Sequence, residues 1–170
     1  EYIKAFRELW TKDNPSFEGK HCAFSDIIFL PKPVQKPTIP IWIGGHSKQA
    51  LRRAGELGDG WHPIGGVPTI PLEPQDVARD LEMLASYAQK AGRDPKQIRV
   101  ALKGSLFDRE KQIAPGKRRR FLGNAEEIAS DIQDYRQVGV DTMIFDVRRP
   151  TPTETLERME WIAKEVIAKI

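Results

Sequence analysis

Four strand-like segments, each followed by a helical one, succeed one another along the chain, and this repetition constrains the fold more than any other feature. The strands are predicted at Ile39–Ile43, Gly60–Ile64, Ile98–Leu102 and Thr142–Phe145. The continuous apolar run Ile39–Ile43 predicts a strand that is buried on both faces. Such strand–helix units favour right-handed crossovers and a parallel α/β sheet, either doubly wound or part of a barrel. A complete (β/α)₈ barrel needs eight units and about 250 residues. Four units in 170 residues therefore predict half a TIM barrel.

The helices are predicted from apolar residues at helical spacing and from residues that cap helix ends. Ser47 can cap the helix that ends at Gly58, and Asn124 can cap another together with Glu127, three residues later, as in a capping box. The predicted helices are Glu1–Thr11, the segment from Ser47 to Gly58, Pro74–Ala91, the segment from Asn124 to Gly139, and Thr153–Ile170. The last helix has a predicted apolar stripe of Leu156, Met159, Ile162, Ala163 and Val166.

The first 38 residues differ from the repeated units. The chain opens at Glu1 inside a helical pattern and without Met, so we expect a piece of a longer protein. Residues 16–30 predict a hairpin or extended excursion, and the prolines that follow predict a semi-extended connector. We expect residues 1–170 to form one domain fragment, with residues 16–38 as an insertion near its start.

Composition excludes several classes of protein. No segment approaches the roughly 20 apolar residues of a membrane helix, and the mean hydropathy is −0.50, so we expect no membrane partner. A single cysteine, Cys22, indicates a reducing compartment, and we expect a cytoplasmic protein. The basic run Lys117–Arg120 could attract nucleic acid, but 27 basic against 24 acidic residues leave a net charge of only +3. We interpret the run as a solvated loop, with an active-site lid as the alternative, and expect no nucleic-acid partner.

The sequence Gly44-Gly45-His46-Ser47 has the strongest local indication of a binding site. A strand that ends in two glycines and turns directly into a helix gathers backbone N–H groups and the positive end of the helix dipole at one place. Glycine also allows a phosphate to approach the backbone closely. The alternative is a tight turn with a serine cap and no ligand. No metal-ligand spacing, nucleophile elbow or Walker loop occurs in the chain, and we expect no metal.

Three motifs in order resemble those of the luciferase-like monooxygenase family, and most closely its deazaflavin (coenzyme F420) group. They are Pro31–Pro37 with its alternating prolines, Ile39–Gly45, and Leu57-Gly58-Asp59-Gly60-Trp61. The segments Leu122–Glu127 and Gly139–Asp141 continue the resemblance. It covers nearly the whole chain but only the C-terminal half of the family's barrel, whose strands five to eight would be the four predicted here.

The resemblance implies roles for particular residues. Gly44, Gly45, His46 and Ser47 would receive the phosphate of the flavin or deazaflavin side chain. Trp61 and His62 would border the cofactor and substrate pocket, although Trp61 could equally be a core aromatic residue. Arg148 would hold an anionic substrate, with a salt bridge to Asp146 as the alternative and Lys103 as a weaker candidate for the same role.

The function implied is hydride transfer between coenzyme F420 and an organic substrate. The alternatives are an FMN-dependent monooxygenase that uses reduced flavin and oxygen, and a non-catalytic half-barrel that self-associates. The family's acid/base histidine belongs to the first half of the barrel, so no catalytic residue is assigned. Four open strands leave two unpaired edges and an uncovered inner face, and we therefore expect a homo-oligomer or a missing partner sequence.

Overall fold

The computed structural model describes residues 1–65, 71–106 and 118–170. They form two compact units, Glu1–Ile41 and Trp42–Ile170. The expectation that residues 1–170 make one domain stays a prediction.

The first unit contains a helix and a small hairpin. Helix α1 spans Tyr2–Thr11. Strands β1 (Phe17–Glu18) and β2 (Ala23–Phe24) pair antiparallel, with Phe17 opposite Phe24. The two phenyl rings stack with centroids 6.1 Å apart. The hairpin predicted within residues 16–30 is therefore confirmed.

The second unit is built on a parallel sheet of four strands. These are β3 (Trp42–Gly44), β4 (Gly60–His62), β5 (Arg99–Ser105) and β6 (Thr142–Asp146), and they lie side by side in chain order. All three pairings are parallel. The predicted parallel α/β architecture is confirmed, with β3 and β6 as the two edge strands.

Four helices connect and follow these strands: α2 (Lys48–Leu57), α3 (Pro74–Lys90), α4 (Ala125–Gln137) and α5 (Pro152–Trp161). A π turn at Ile162–Val166 and a 3-10 turn at Ile167–Lys169 continue α5, where the sequence predicted one helix to Ile170. The predicted caps are present. Ser47 accepts from the Ala50 N–H at 3.2 Å, and Asn124 and Glu127 form a reciprocal capping box.

The apolar core lies on one face of the sheet, between the strands and the helices. Residues that alternate along the strands point to this face, because successive side chains of a strand point to opposite sides. The buried strand residues of the core include Trp61, Val100 and Leu102, and they pack with buried helix residues such as Leu84 and Ile128.

The opposite face of the sheet, called here the open face, is not covered by any of the helices α2 to α5. Trp42, Ile64 and Ile144 are 44%, 45% and 41% exposed. The sequence predicted that the first strand of the sheet is buried on both faces, and this is wrong. β3 is an edge strand and Trp42 lies on the open face, over the Cα of Gly60.

The apolar stripe predicted for the last helix is also largely unburied. Leu156 and Met159 are 65% and 51% exposed, whereas Val166 is fully buried. Arg158 and Trp161 are half-buried instead, and the Arg158 guanidinium lies 4.4 Å from the centroid of the Trp161 ring. The N-terminal part of the stripe is therefore uncovered among the described residues, whereas Ile162 and Val166 pack in the core as predicted.

Candidate functional site

The pairing register of the sheet decides which side chains share a face. Gly44 lies opposite His62, and the same row continues to Ala101 of β5 and Thr142 of β6. This row belongs to the open face. The adjacent row contains Ile43, Trp61 and Val100 and belongs to the helix-covered core. Of the two neighbours Trp61 and His62, therefore, only His62 is on the open face.

The turn after β3 has the geometry that its sequence predicts. Gly45 adopts a φ of +90°, in the region that favours glycine, and so lets the strand turn directly into α2. Ser47 caps that helix. A Cβ built on Gly44 would meet only the His62 carbonyl oxygen, at 3.8 Å, so Gly44 leaves open space above the turn.

Trp61 does not line the open face, which corrects its predicted role as a pocket wall. The side chain is fully buried in the core. Its indole Nε1–H donates to the Gly45 carbonyl oxygen at 2.7 Å, and the Gly45 N–H donates to the His62 carbonyl oxygen at 3.3 Å. Trp61 therefore holds the Gly44-Gly45 turn against β4 from the core side. The core alternative weighed for this residue is the one observed.

His62 lies beside this turn, half-buried, with its Nδ1 2.7 Å from the Ala101 carbonyl oxygen. His46, in the turn itself, is exposed. Burial raises the pKa of the Asp80 carboxyl in α3. The charge of His46 acts in the opposite direction and lowers that pKa. The structure thus brings Gly44, Gly45, His46, Ser47 and His62 together at the carboxyl edge of the sheet.

Arg148 lies beyond the carboxyl end of β6 and is engaged by Asp146. Its Nε–H donates to Asp146 Oδ1 at 2.9 Å, and a second N–H donates to Oδ2. This fork of hydrogen bonds holds the pKa of Asp146 far below its usual range. Arg148 is 85% exposed and borders a cavity of about 560 Å³ that Ser105, Leu106 and Pro150 also line. The salt bridge weighed as the alternative is present, and binding of a substrate stays a prediction.

Metal-binding clusters and membrane-spanning helices are both absent from the residues that the structure describes. Among residues 1–65, 71–106 and 118–170, no cluster of His, Cys, Asp or Glu could hold a metal ion. Within the same ranges, no helix is long and apolar enough to cross a membrane.

Comparison with known proteins identifies the family. The sequence model of the luciferase-like monooxygenases matches residues 1–114. The chain belongs to this family. The resemblance predicted from the motifs is thereby confirmed, including its first two strand–helix units.

Two curated relatives show the range of activities among related luciferase-like proteins. The chain is 39% identical over 188 residues to the FMNH₂-dependent dimethylsulfone monooxygenase of Pseudomonas putida, covering 85% of this chain and 51% of that protein. It is 30% identical over 114 residues to a phthiodiolone/phenolphthiodiolone dimycocerosates ketoreductase of Mycobacterium tuberculosis, covering 65% and 29%. The chain thus spans about half the length, or less, of these relatives.

Solved structures confirm the fold class. A monooxygenase from Streptomyces bottropensis superposes with a TM-score of 0.74 at 20% identity, over 98% of this chain and 59% of that one. The coenzyme F420 dependent tetrahydromethanopterin reductase of Methanopyrus kandleri gives 0.72 at 17%, over 98% and 61%. The fold is part of the (β/α)₈ barrel of luciferase-like enzymes, as predicted.

Sequence reasoning missed an ion cluster in this luciferase-like chain. Asp131 of α4 is fully buried and accepts hydrogen bonds from Arg118, from Arg120 and from the Phe121 N–H. Arg120 also donates to Glu73 and Asp134. The interpretation of the basic run as a solvated loop is therefore wrong for Arg118 and Arg120, because both bind buried or half-buried carboxylates. Lys117 lies outside the described residues.

Proposed function

We propose that the protein containing this chain is an oxidoreductase whose Gly44–Ser47 turn binds the phosphate of a reduced flavin or deazaflavin cofactor. The observation that carries the proposal is the gap above Gly44, at the point where a capped helix begins. The family membership supplies the class of ligand. The activity of the whole protein is part of the proposal, because this chain spans only about half the length of the relative that is 39% identical to it.

The residues of the turn fit a phosphate in three respects. The missing side chain of Gly44 leaves room for phosphate oxygens next to the backbone. The N–H groups of Lys48 and Gln49, in the first turn of α2, have no intrahelical acceptor and can donate to an anion. Ser47 is already held as the N-cap, and His46 is exposed beside it. Trp61 fixes the turn from behind and so keeps these donors in place.

Reduced FMN is the cofactor that the similarity favours. The relative that shares 39% identity over 85% of this chain is named for its dependence on FMNH₂. The second candidate is coenzyme F420, which the motifs of residues 31–61 favour. When bound, reduced FMN would supply oxygen-dependent oxidation, whereas the deazaflavin would carry a hydride to or from an organic substrate.

The remaining site residues would act on the ligand from the open face. Arg148 could exchange its partner Asp146 for an anionic group of the substrate, because both are acceptors for the same guanidinium fork. His62 would contact the cofactor beside the turn. We assign no catalytic acid or base to the described residues. That the protein works in the cytoplasm and as a homo-oligomer stays a prediction.

Two substitutions at Ser47 test the phosphate site with the helix cap preserved. Asparagine and aspartate both cap helices about as well as serine. Ser47→Asp, however, places a carboxylate where the phosphate would bind. We expect Ser47→Asn to bind FMN or F420 nearly as the natural protein does, and Ser47→Asp to bind at least about tenfold more weakly.

Fluorescence titration of the purified protein with FMN, with F420 and with riboflavin, which lacks the phosphate, measures these affinities. Riboflavin should bind both variants equally. If Ser47→Asp binds FMN and F420 as tightly as Ser47→Asn does, or if neither cofactor binds the natural protein, the proposal is wrong. The tighter of the two cofactors identifies the reaction class.

A further inference from the structure

His62 is followed by a proline, and this order of residues determines how its imidazole is oriented. β4 and β5 pair in parallel, and the Lys103 N–H donates to the Pro63 carbonyl oxygen at 3.0 Å. In a parallel ladder, the N–H at position 63 would in turn donate to the Ala101 carbonyl oxygen. Proline has no N–H, so the ladder lacks this bond. A buried carbonyl oxygen without a donor would be unfavourable.

The His62 side chain replaces the missing donor. Its Nδ1 lies 2.7 Å from the Ala101 carbonyl oxygen. A carbonyl oxygen only accepts hydrogen bonds, so Nδ1 carries the proton and donates it. In the neutral ring the other nitrogen, Nε2, is then an acceptor. The dipeptide His62-Pro63 thus fixes one tautomer of the imidazole.

His62 lies on the open face beside the Gly44–Ser47 turn, and Nε2 is the ring nitrogen that is not bound to Ala101. His62 shares its row with Gly44 on one side and Ala101 on the other. The ring is held toward Ala101, and Gly44 has no side chain to fill the space on the opposite side. No residue of the described ranges forms a hydrogen bond with Nε2. A ligand that extended from the turn across Gly44 would therefore meet His62 next.

We propose that His62 Nε2 accepts a hydrogen bond from a hydroxyl of the polyol chain that joins the cofactor's phosphate to its ring. The inference rests on the proposed function, because it needs a phosphate at the Gly44–Ser47 turn. In FMN and in F420 alike the polyol chain is bonded directly to the phosphate on the side of the ring, and its hydroxyls can donate to a neutral imidazole acceptor. His62 is in this way a binding residue for the cofactor chain.

Two substitutions of His62 separate this contact at Nε2 from the hydrogen bond between Nδ1 and the Ala101 carbonyl oxygen. The amide of asparagine can occupy the position of Nδ1 and keep the bond to the Ala101 carbonyl, but it does not reach the position of Nε2. The longer glutamine places an amide oxygen near the position of Nε2 and loses the hydrogen bond to the Ala101 carbonyl oxygen. Loss of one hydrogen bond weakens binding about fivefold. We expect that loss for His62→Asn and an affinity within about twofold of the natural protein for His62→Gln.

Three ligands locate the contact on the cofactor. FMN carries ring, polyol and phosphate, riboflavin lacks the phosphate, and lumiflavin lacks both polyol and phosphate. His62→Asn should weaken FMN and riboflavin alike and leave lumiflavin unchanged, whereas Ser47→Asp should weaken FMN alone. If the cofactor titration identifies F420, that cofactor replaces FMN. Tight FMN or F420 binding by His62→Asn, or an equal loss for lumiflavin, would overturn the inference while the phosphate site stands.

The tautomer can be measured without any ligand. ¹⁵N NMR of the histidine ring, at a pH where imidazole is neutral, should show the proton of His62 on Nδ1. Pro63→Ala restores a backbone N–H that competes for the Ala101 carbonyl, so it should shift His62 toward a mixture of tautomers. A proton on Nε2 in the natural protein, or a tautomer that Pro63→Ala leaves unchanged, would refute the structural basis of the inference.

Discussion

Among the described residues, Asp131 is the charged residue whose side chain is fully buried, so removing its charge should destabilise the fold strongly. Its side chain is 1% exposed, and its two oxygens accept four hydrogen bonds. Three come from the guanidinium groups of Arg118 and Arg120, and one comes from the Phe121 N–H. Replacing Asp131 with asparagine keeps the shape but removes the charge and turns one acceptor into a donor that faces other donors.

The loss in free energy of unfolding depends on which hydrogen-bond acceptors Arg118, Arg120 and Phe121 retain after this substitution. Arg120 retains Glu73 and Asp134, so its charge stays compensated. Arg118 retains only backbone carbonyls and is one-third exposed, so water screens part of the loss. The buried Phe121 N–H loses its acceptor. Removing one partner of a buried ion pair typically costs 3–5 kcal/mol, and we place Asp131→Asn near the lower end, at about 3 kcal/mol.

Urea denaturation followed by circular dichroism measures this change in the free energy of unfolding. Asp134→Asn is the matched control, because Asp134 is 40% exposed and shares Arg120 with two other carboxylates. It should cost less than about 1 kcal/mol. If Asp131→Asn does not fold, Arg118→Lys reports on the same contact, since lysine keeps the charge but not the fork. A loss of under about 1 kcal/mol for both variants at the buried pair would refute the reasoning.

Three further predictions concern helix ends and one buried phenol. Arg93→Ala should lower the free energy of unfolding, measured in urea, by about 1–2 kcal/mol, because the Arg93 guanidinium donates to carbonyls at the end of α2, including that of Gly58 at 2.7 Å. A decrease no larger than that for alanine substitution of an exposed arginine would contradict this. Asn124→Ala should cost about 1 kcal/mol and Asn124→Asp almost nothing, and equal losses would rule out a capping role. Burial raises the pKa of Tyr135, which donates to the Leu72 carbonyl oxygen, so the folded state retains the phenol proton to higher pH than the unfolded state does. Its contribution to stability is complete below the unfolded pKa of about 10 and falls as the pH rises above it, so Tyr135→Phe should show a shallower alkaline decline.

Local signals in the sequence predicted local structure well. The caps at Ser47 and Asn124 depend on residues three positions apart, and both are present as predicted. The glycine turn after β3 likewise depends on adjacent residues. Burial of β3 and of Leu156 was predicted wrongly, because burial depends on what covers a surface and not on the segment itself. In the Asp131 cluster, Asp131 binds residues that lie 10 to 13 positions before it in the chain, and Arg120 also binds Glu73 at the start of α3. No short sequence motif predicts contacts over these separations.

The two faces of β4 show why the site was only partly predictable. Trp61 and His62 are neighbours in sequence and therefore point to opposite sides of the sheet, so at most one can meet a ligand on the open face. The sequence offers both as candidates. The pairing register decides between them, because it places His62 opposite Gly44 on the open face and Trp61 in the core.

The same register extends the site toward β6 and gives Lys103 more weight than the sequence did. Two residues beyond Ala101 along β5, Lys103 shares a row with Ile144, on the open face. Asp146 follows on the same face, and the charge of Lys103 contributes, after Arg148, to the lowered pKa of that carboxylate. An anionic group that replaced Asp146 at the Arg148 fork would therefore also lie near the ammonium group of Lys103. On this geometry Lys103→Met should weaken binding of an anionic substrate and leave FMN affinity unchanged. Equal losses for both ligands, measured by competition titration, would place Lys103 at the cofactor instead.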